Sequence, residues 1–236
     1  MLAKFRKRSF QKELLDEENI PADQLFRNLE ELDTINTFLG GHGITVSGLS
    51  GLTGKKDRVY SVIDIGCGGG DTLKVLAKWA SQSGVSLRLT GLDINRDVVA
   101  FARQNCREFP EIDFVQGDYR EYIQGSGKTD IIISSLFCHH LNDEELTEFM
   151  SWSVDNCREG FLINDLHRHP LAYYSIWLIS RLFGGSALLR NDAPLSVLRG
   201  FKRKELLSLL GKTAGAQASI TWKWAFRYMV VFKHPE

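Results

Sequence analysis

Carboxylates, glycines and histidines fall at recurring places in this chain, and these residues could do chemistry. Asp64 stands two residues before a glycine series, Gly66-x-Gly68-x-Gly70. Glycine has no Cβ, so such a turn lets a ligand approach bare backbone. Asp93 closes the run Gly91-Leu92-Asp93, ahead of Ile94-Asn95. A carboxylate there can accept from both hydroxyls of a sugar. Asp118 follows Gly117 and can accept from an amino group on a base, with Tyr119 against the ring. Two histidines, His139 and His140, end the stretch Ser134-Ser135-Leu136-Phe137-Cys138-His139-His140. Two more, His167 and His169, lie in Asn164-Asp165-Leu166-His167-Arg168-His169. Histidine titrates near neutrality and so can take a proton from a reacting group. His139 or His167 is the candidate base, with Asp165 as the group that orients it.

The elements that must position these residues alternate between strand and helix. Strands are expected at 59–65, 86–92, 112–116, 129–134 and 160–164, and helices at 71–83, 96–108, from about 143, and at 202–212. Such alternation implies a parallel sheet with right-handed crossovers. Two closing strands, 219–226 and 227–233, read as a hairpin. Each candidate group then follows a strand, at the carboxyl ends where open α/β sheets bind ligands. Before the first strand, residues 1–40 read as two helices. The first carries Phe10, Leu14 and Leu15; the second starts near Pro21, with Asn19 or Ile20 as its boundary, and ends at Gly40-Gly41. Gly41 to Lys56, rich in Gly, Ser and Thr, reads as a loop or short hairpin. Residues 170–189 form an aromatic helical insertion with Tyr173, Tyr174 and Trp177, and 191–201 reads as a loop bearing Arg199. The expected organisation is an N-terminal helical extension over 1–56 and one domain over 57–236, with an insertion at about 166–200.

An acidic residue just before a G-x-G-x-G turn resembles motif I of class I S-adenosylmethionine (SAM)-dependent methyltransferases. With Asp93, Asp118 and the Ser-Ser-Leu-x-x-His-His stretch in order, the resemblance covers about residues 59–165. It implies a Rossmann-like fold with a seven-stranded, mostly parallel sheet and an antiparallel last strand. It also implies SAM as methyl donor, with S-adenosylhomocysteine (SAH) as product. The implied cofactor contacts are Asp64, Gly66, Gly68 and Gly70 at the amino-acid part. Asp93 and Ile94 fall at the ribose, Asp118 and Tyr119 at the adenine, and Ser135 near the sulfonium. His139-His140-Leu141 is similar to a His-His-Leu found after strand four in small-molecule methyltransferases of quinone and polyketide pathways. The stretch through Phe201 resembles bacterial methyltransferases of secondary metabolism. The resemblance implies an extension that closes over the site and a small aromatic, phenolic or quinone-like acceptor. Methylation at oxygen is expected, with carbon methylation as the alternative. His140, His169, Tyr173, Tyr174, Trp177 and Arg199 are the candidate acceptor contacts.

Composition narrows the competing classes. The 236 residues are 43% hydrophobic and 25% charged, with 29 basic and 29 acidic side chains. That balance gives no electrostatic reason to expect a nucleic acid. Cys67, Cys106, Cys138 and Cys157 are scattered without a C-x-x-C pair, which suits a reducing cytoplasm rather than disulfides or zinc. No apolar run is long enough for a membrane span, and no metal is expected. A monomer or homodimer fits. A dinucleotide fingerprint would place a third glycine where Asp71 stands, which argues against an NAD-dependent oxidoreductase. A non-catalytic SAM-binding protein is the remaining alternative.

Overall fold

The computed structural model describes residues 3–17, 20–54, 58–213 and 217–235. Seven strands form one sheet in the order β3-β2-β1-β4-β5-β7-β6. They are β1 Val59–Ile65, β2 Ser86–Asp93, β3 Ile112–Gln116, β4 Thr129–Ser135, β5 Cys157–Leu166, β6 Ala218–Lys223 and β7 Arg227–Lys233. β1 to β5 are parallel, and β7 runs antiparallel to both β5 and β6. β4, Thr-Asp-Ile-Ile-Ile-Ser-Ser, is buried along all but its last residue, as a central parallel strand must be.

Side chains alternate across the sheet and feed two cores. Val62, Ile131, Ile133 and Leu162 pack on one face with Leu49, Leu52, Leu73 and Leu76. These last come from α2 Gly41–Leu52 and α3 Asp71–Ser83. Ile63, Ile132, Phe161 and Ile163 pack on the other face with Phe149, Met150, Leu206 and Leu210. These belong to α6 Asp143–Asn156 and α9 Arg203–Thr213. The remaining helices are α1 Ala22–Phe38, α4 Arg96–Asn105, α5 Tyr119–Ser126, α7 Pro170–Leu182 and α8 Ala187–Arg199.

Three segments differ from the sequence expectations. The stretch expected as a loop from Gly41 is helix α2. Its glycines serve close packing: a Cβ on Gly48 would press into the Leu162 side chain. The segment 191–201 belongs largely to α8, whose Leu189, Ala193 and Val197 are buried beside Ile176 of α7. Around Phe10, Leu14 and Leu15 no α-helix forms. The chain there has no regular structure apart from single 3₁₀ turns at Ala3–Phe5 and Leu14–Asp16. Its amides are held from outside, as Leu14 and Leu15 N–H both donate to Asp192 of α8. Residue 19, one of the expected helix boundaries, and residues 55–57, at the expected domain boundary, lie outside the described residues.

Candidate functional site

The glycine turn after β1 is built from three left-handed residues, with φ of 71°, 52° and 77° at Gly66, Gly68 and Gly70. It is pinned to β2, since the Gly66 and Cys67 amides both donate to Leu92 O, at 2.9 and 3.1 Å. A side chain on Gly66 would run into the Phe137 ring. One on Gly68 would meet only Leu29 Cδ2, at 4.0 Å. Gly66 is therefore required by packing, whereas Gly68 borders open space.

Asp93 sits beside that space. Its Oδ2 accepts from the Gly68 amide at 3.3 Å and its Oδ1 from the Asn95 amide at 3.0 Å. Each oxygen keeps a further lone pair for a ligand hydroxyl. Asn95 caps α4 and so fixes the direction in which the chain leaves Asp93. Ile94 is exposed at the same rim. Asp118 accepts from the amide and guanidinium of Arg120, at 2.8 and 3.0 Å, which holds its carboxylate below the ordinary range. Tyr119 turns into the core. Its ring is buried edge-on against Phe149 and Trp152, so the expected stacking role is replaced by a core role.

Three polar side chains toward the carboxyl ends of adjacent parallel strands, and a fourth at the start of β7, have buried atoms with no partner among the described residues. They are Asp64 Oδ1 on β1, Ser135 Oγ on β4 and Asn164 Oδ1 on β5, joined by Nε and Nη1 of Arg227 at the start of antiparallel β7. Alternation puts them on one face: Asp64 with Val62, Ser135 with Ile133, Asn164 with Leu162, and Arg227 with Met229. Helix α1 turns Asn28 and Asn36 inward, on the buried face it shares with Leu25 and Leu29. Both asparagines also carry buried atoms without partners. Orphaned buried polar atoms are rare and costly in native proteins. Burial pushes the Asp64 carboxyl well above its ordinary value, and the nearby Asp93 adds to this. A ligand bearing an ammonium group would satisfy Asp64, and hydroxyls would satisfy Asp93. These residues therefore fit the amino-acid and sugar ends of a nucleoside such as SAM.

His139 and Asp165 come together as expected. The His139 Nδ1 lies 2.8 Å from Asp165 Oδ1, and its backbone amide donates to Asp165 Oδ2 at 3.1 Å. His139 holds Asp165 below the usual carboxylate range despite full burial. The other ring nitrogen faces Glu13 Oε1 at 3.7 Å. His140 lies alongside, with Nδ1 3.0 Å from Asp16 and Nε2 3.8 Å from Glu13. Three possible metal-ligand atoms on Glu13, His139 and His140 thus lie within 4.8 Å of one another. Arg199, expected on a loop toward the acceptor, is instead buried and structural. It donates to the His139, His140 and Gln11 carbonyls and to Asp16. Burial raises the Glu13 carboxyl to about 6, while hydrogen bonds and the charge of His140 hold Asp16 low against its own desolvation.

His167 is placed elsewhere, packed on Tyr228 and Phe226, with Nδ1 accepting from Trp222 Nε1 at 3.2 Å. Burial and the neighbouring cations lower it to about 4. His169 stacks on Phe226 and caps α7. Tyr173 and Tyr174 meet Phe5, and Trp177 lies outward under Arg181. The sequence reading missed Glu13, Asp16, Asn28, Asn36 and Arg227. Asn28 and Asn36 carried a signal, because they interrupt the apolar face of α1 at helical spacing.

Residues 62–160 match the family model described as a methyltransferase domain. These residues form a methyltransferase domain. The seven-stranded sheet around it is the class I methyltransferase fold. Solved structures with that fold include the plantazolicin methyltransferase BpumL in complex with SAH. It is 15% identical, with 90% of this chain and 96% of that one covered and a TM-score of 0.64. Human N-acetylserotonin methyltransferase in complex with SAM is 17% identical, with 92% and 57% covered and a TM-score of 0.62. In sequence, the chain is 25% identical over 155 residues to a protein named "Putative methyltransferase YqeM" of Bacillus subtilis (strain 168). That match spans 63% of this chain and 57% of the relative, so the chain covers less than two thirds of that relative's length.

Proposed function

We propose that the chain is a SAM-dependent methyltransferase that O-methylates a small aromatic, phenolic or quinone-like acceptor. The observation that carries this reading is the unpartnered, buried Asp64 carboxyl close to Asp93 and the glycine turn. Asp64 and the glycine turn would hold the amino-acid part of SAM, Asp93 its ribose and Asp118 the adenine amino group. When bound, SAM supplies a methyl group on a sulfonium, an electrophile that needs no metal to react.

The chain's part is to position the acceptor, exclude water and take a proton. His139 is the candidate base. Asp165 at its Nδ1 fixes the tautomer, leaving the Nε2 lone pair on the side of Glu13. The segment bearing Glu13 covers that nitrogen, so it must move aside for an acceptor oxygen to reach it. Residues 3–17 together with α1 are thus proposed as a lid.

The test is calorimetric titration with SAH, followed by SAM turnover with a panel of phenols. Micromolar SAH binding and SAH production with at least one phenol support the reading. Binding of NADH in place of SAH overturns it.

A further inference from the structure

Arg227 has no place in the cofactor contacts just given. It opens β7, is 2% exposed, and its Nε and Nη1 find no partner among the described residues. Burial lowers the guanidinium to about 10, with Asp165 opposing the shift, so it remains charged at neutral pH. A Cβ built on Gly41 would lie 2.9 Å from Arg227 Cζ. The guanidinium therefore reaches the first residue of α2. That helix starts at Gly40, in the left-handed region, with no side-chain cap and no acidic residue in its first turn. Asn164 Nδ2 holds the helix start in place by donating to Gly41 O at 2.9 Å and to Thr45 at 3.0 Å.

A buried guanidinium and the positive end of a helix repel one another, and an anion beside both relieves that repulsion. The arginine fork matches a carboxylate geometrically. Position also separates this place from the cofactor. Asp64 and Arg227 are three strand spacings apart across β1, β4, β5 and β7, about 14 Å, and Asp93 lies on the far side of β1. Asn36 Oδ1 and Asn164 Oδ1 border the place as acceptors and would meet water or a hydroxyl.

We propose that Arg227 and the N-terminus of α2 seat a carboxylate on the acceptor side of the site, so that the acceptor is a small acid, such as an aromatic carboxylate. This rests on the methyltransferase reading.

The test is calorimetry on the full chain. Benzoate and its neutral counterpart benzamide are titrated into protein saturated with SAH. SAH and 5′-methylthioadenosine, which lacks the amino-acid tail, are titrated alone. Both arms are repeated with Arg227→Met and Arg227→Lys. Wild type should prefer benzoate by about tenfold or more. The preference should vanish in Arg227→Met and return in part in Arg227→Lys, with SAH affinity unmoved. If the advantage of SAH over methylthioadenosine collapses instead, the carboxylate is the cofactor's and the acceptor assignment falls. Equal affinity of wild type for benzoate and benzamide overturns the seat without recourse to any variant. Failure of wild type to bind SAH at all overturns the methyltransferase reading rather than the seat.

Discussion

The Gly68 amide donates to the Asp93 carboxylate at 3.3 Å, tying the turn after β1 to the end of β2. Asp93 is therefore a brace for the glycine turn, and under the proposed function it is also the acceptor for the ribose. Asp93→Ala should weaken SAH binding by about 1.5–3 kcal/mol, the range for hydrogen bonds to a charged group. Calorimetry that finds unchanged affinity would remove Asp93 from the site.

The glycines should separate by function. Gly66→Ala drives a methyl into Phe137 at a left-handed φ, and should lower unfolding stability by about 2–3 kcal/mol. Gly68→Ala meets no neighbour closer than 4.0 Å, so its cost to the fold is the left-handed strain alone, about 1 kcal/mol. Under the proposed function its methyl instead occupies space that the amino-acid tail of SAM needs. Denaturant melts and SAH titrations on both variants check this, and equal stability losses would contradict it.

Asp93, Gly66 and Gly68 were legible in the sequence because strand, turn and helix fix them locally. β1, β3 and α3 fall at 59–65, 112–116 and 71–83, as expected from periodicity. What escaped were contacts between distant segments. Nothing near Glu13 announces that it will face His139, 126 positions along, and Arg227 reads as an ordinary edge-of-strand residue. Helix α2 was obscured because its glycines, which make room for Leu162, carry the composition of a loop. Arg199 looked like a loop residue for a similar reason: its segment contains Pro194, which α8 absorbs.

Glu13 makes the N-terminal segment pH-sensitive. Its carboxyl rises from 4.5 to about 6 on folding, because burial outweighs the nearby cations. The folded state then binds the proton more tightly than the unfolded chain. Stability from this group is present below pH 4.5 and lost as pH rises through about 6. The difference is about 2 kcal/mol at 1.36 kcal/mol per unit. Glu13→Gln should remove it, so the stability gap between variant and wild type widens by that amount from pH 4.5 to 7. A constant gap, measured by denaturant midpoints, would contradict the assignment.

His139→Gln and Asp165→Asn both disturb the proposed base. Loss of general-base catalysis lowers turnover by about 10²–10⁴-fold. SAH affinity should stay within about threefold of wild type, since neither side chain belongs to the cofactor contacts. The informative comparison is turnover against SAH affinity for each variant, using whichever phenol the wild type accepts. Parallel loss of both would assign the pair to structure alone.

The most direct test of the whole account is a crystal structure of the chain with SAH. The account predicts the ribose hydroxyls on Asp93, the amino group at Asp64 Oδ1, and the amino-acid tail passing Gly68. SAH bound elsewhere, or water alone against Asp64 and Asp93 at saturating SAH, would contradict it.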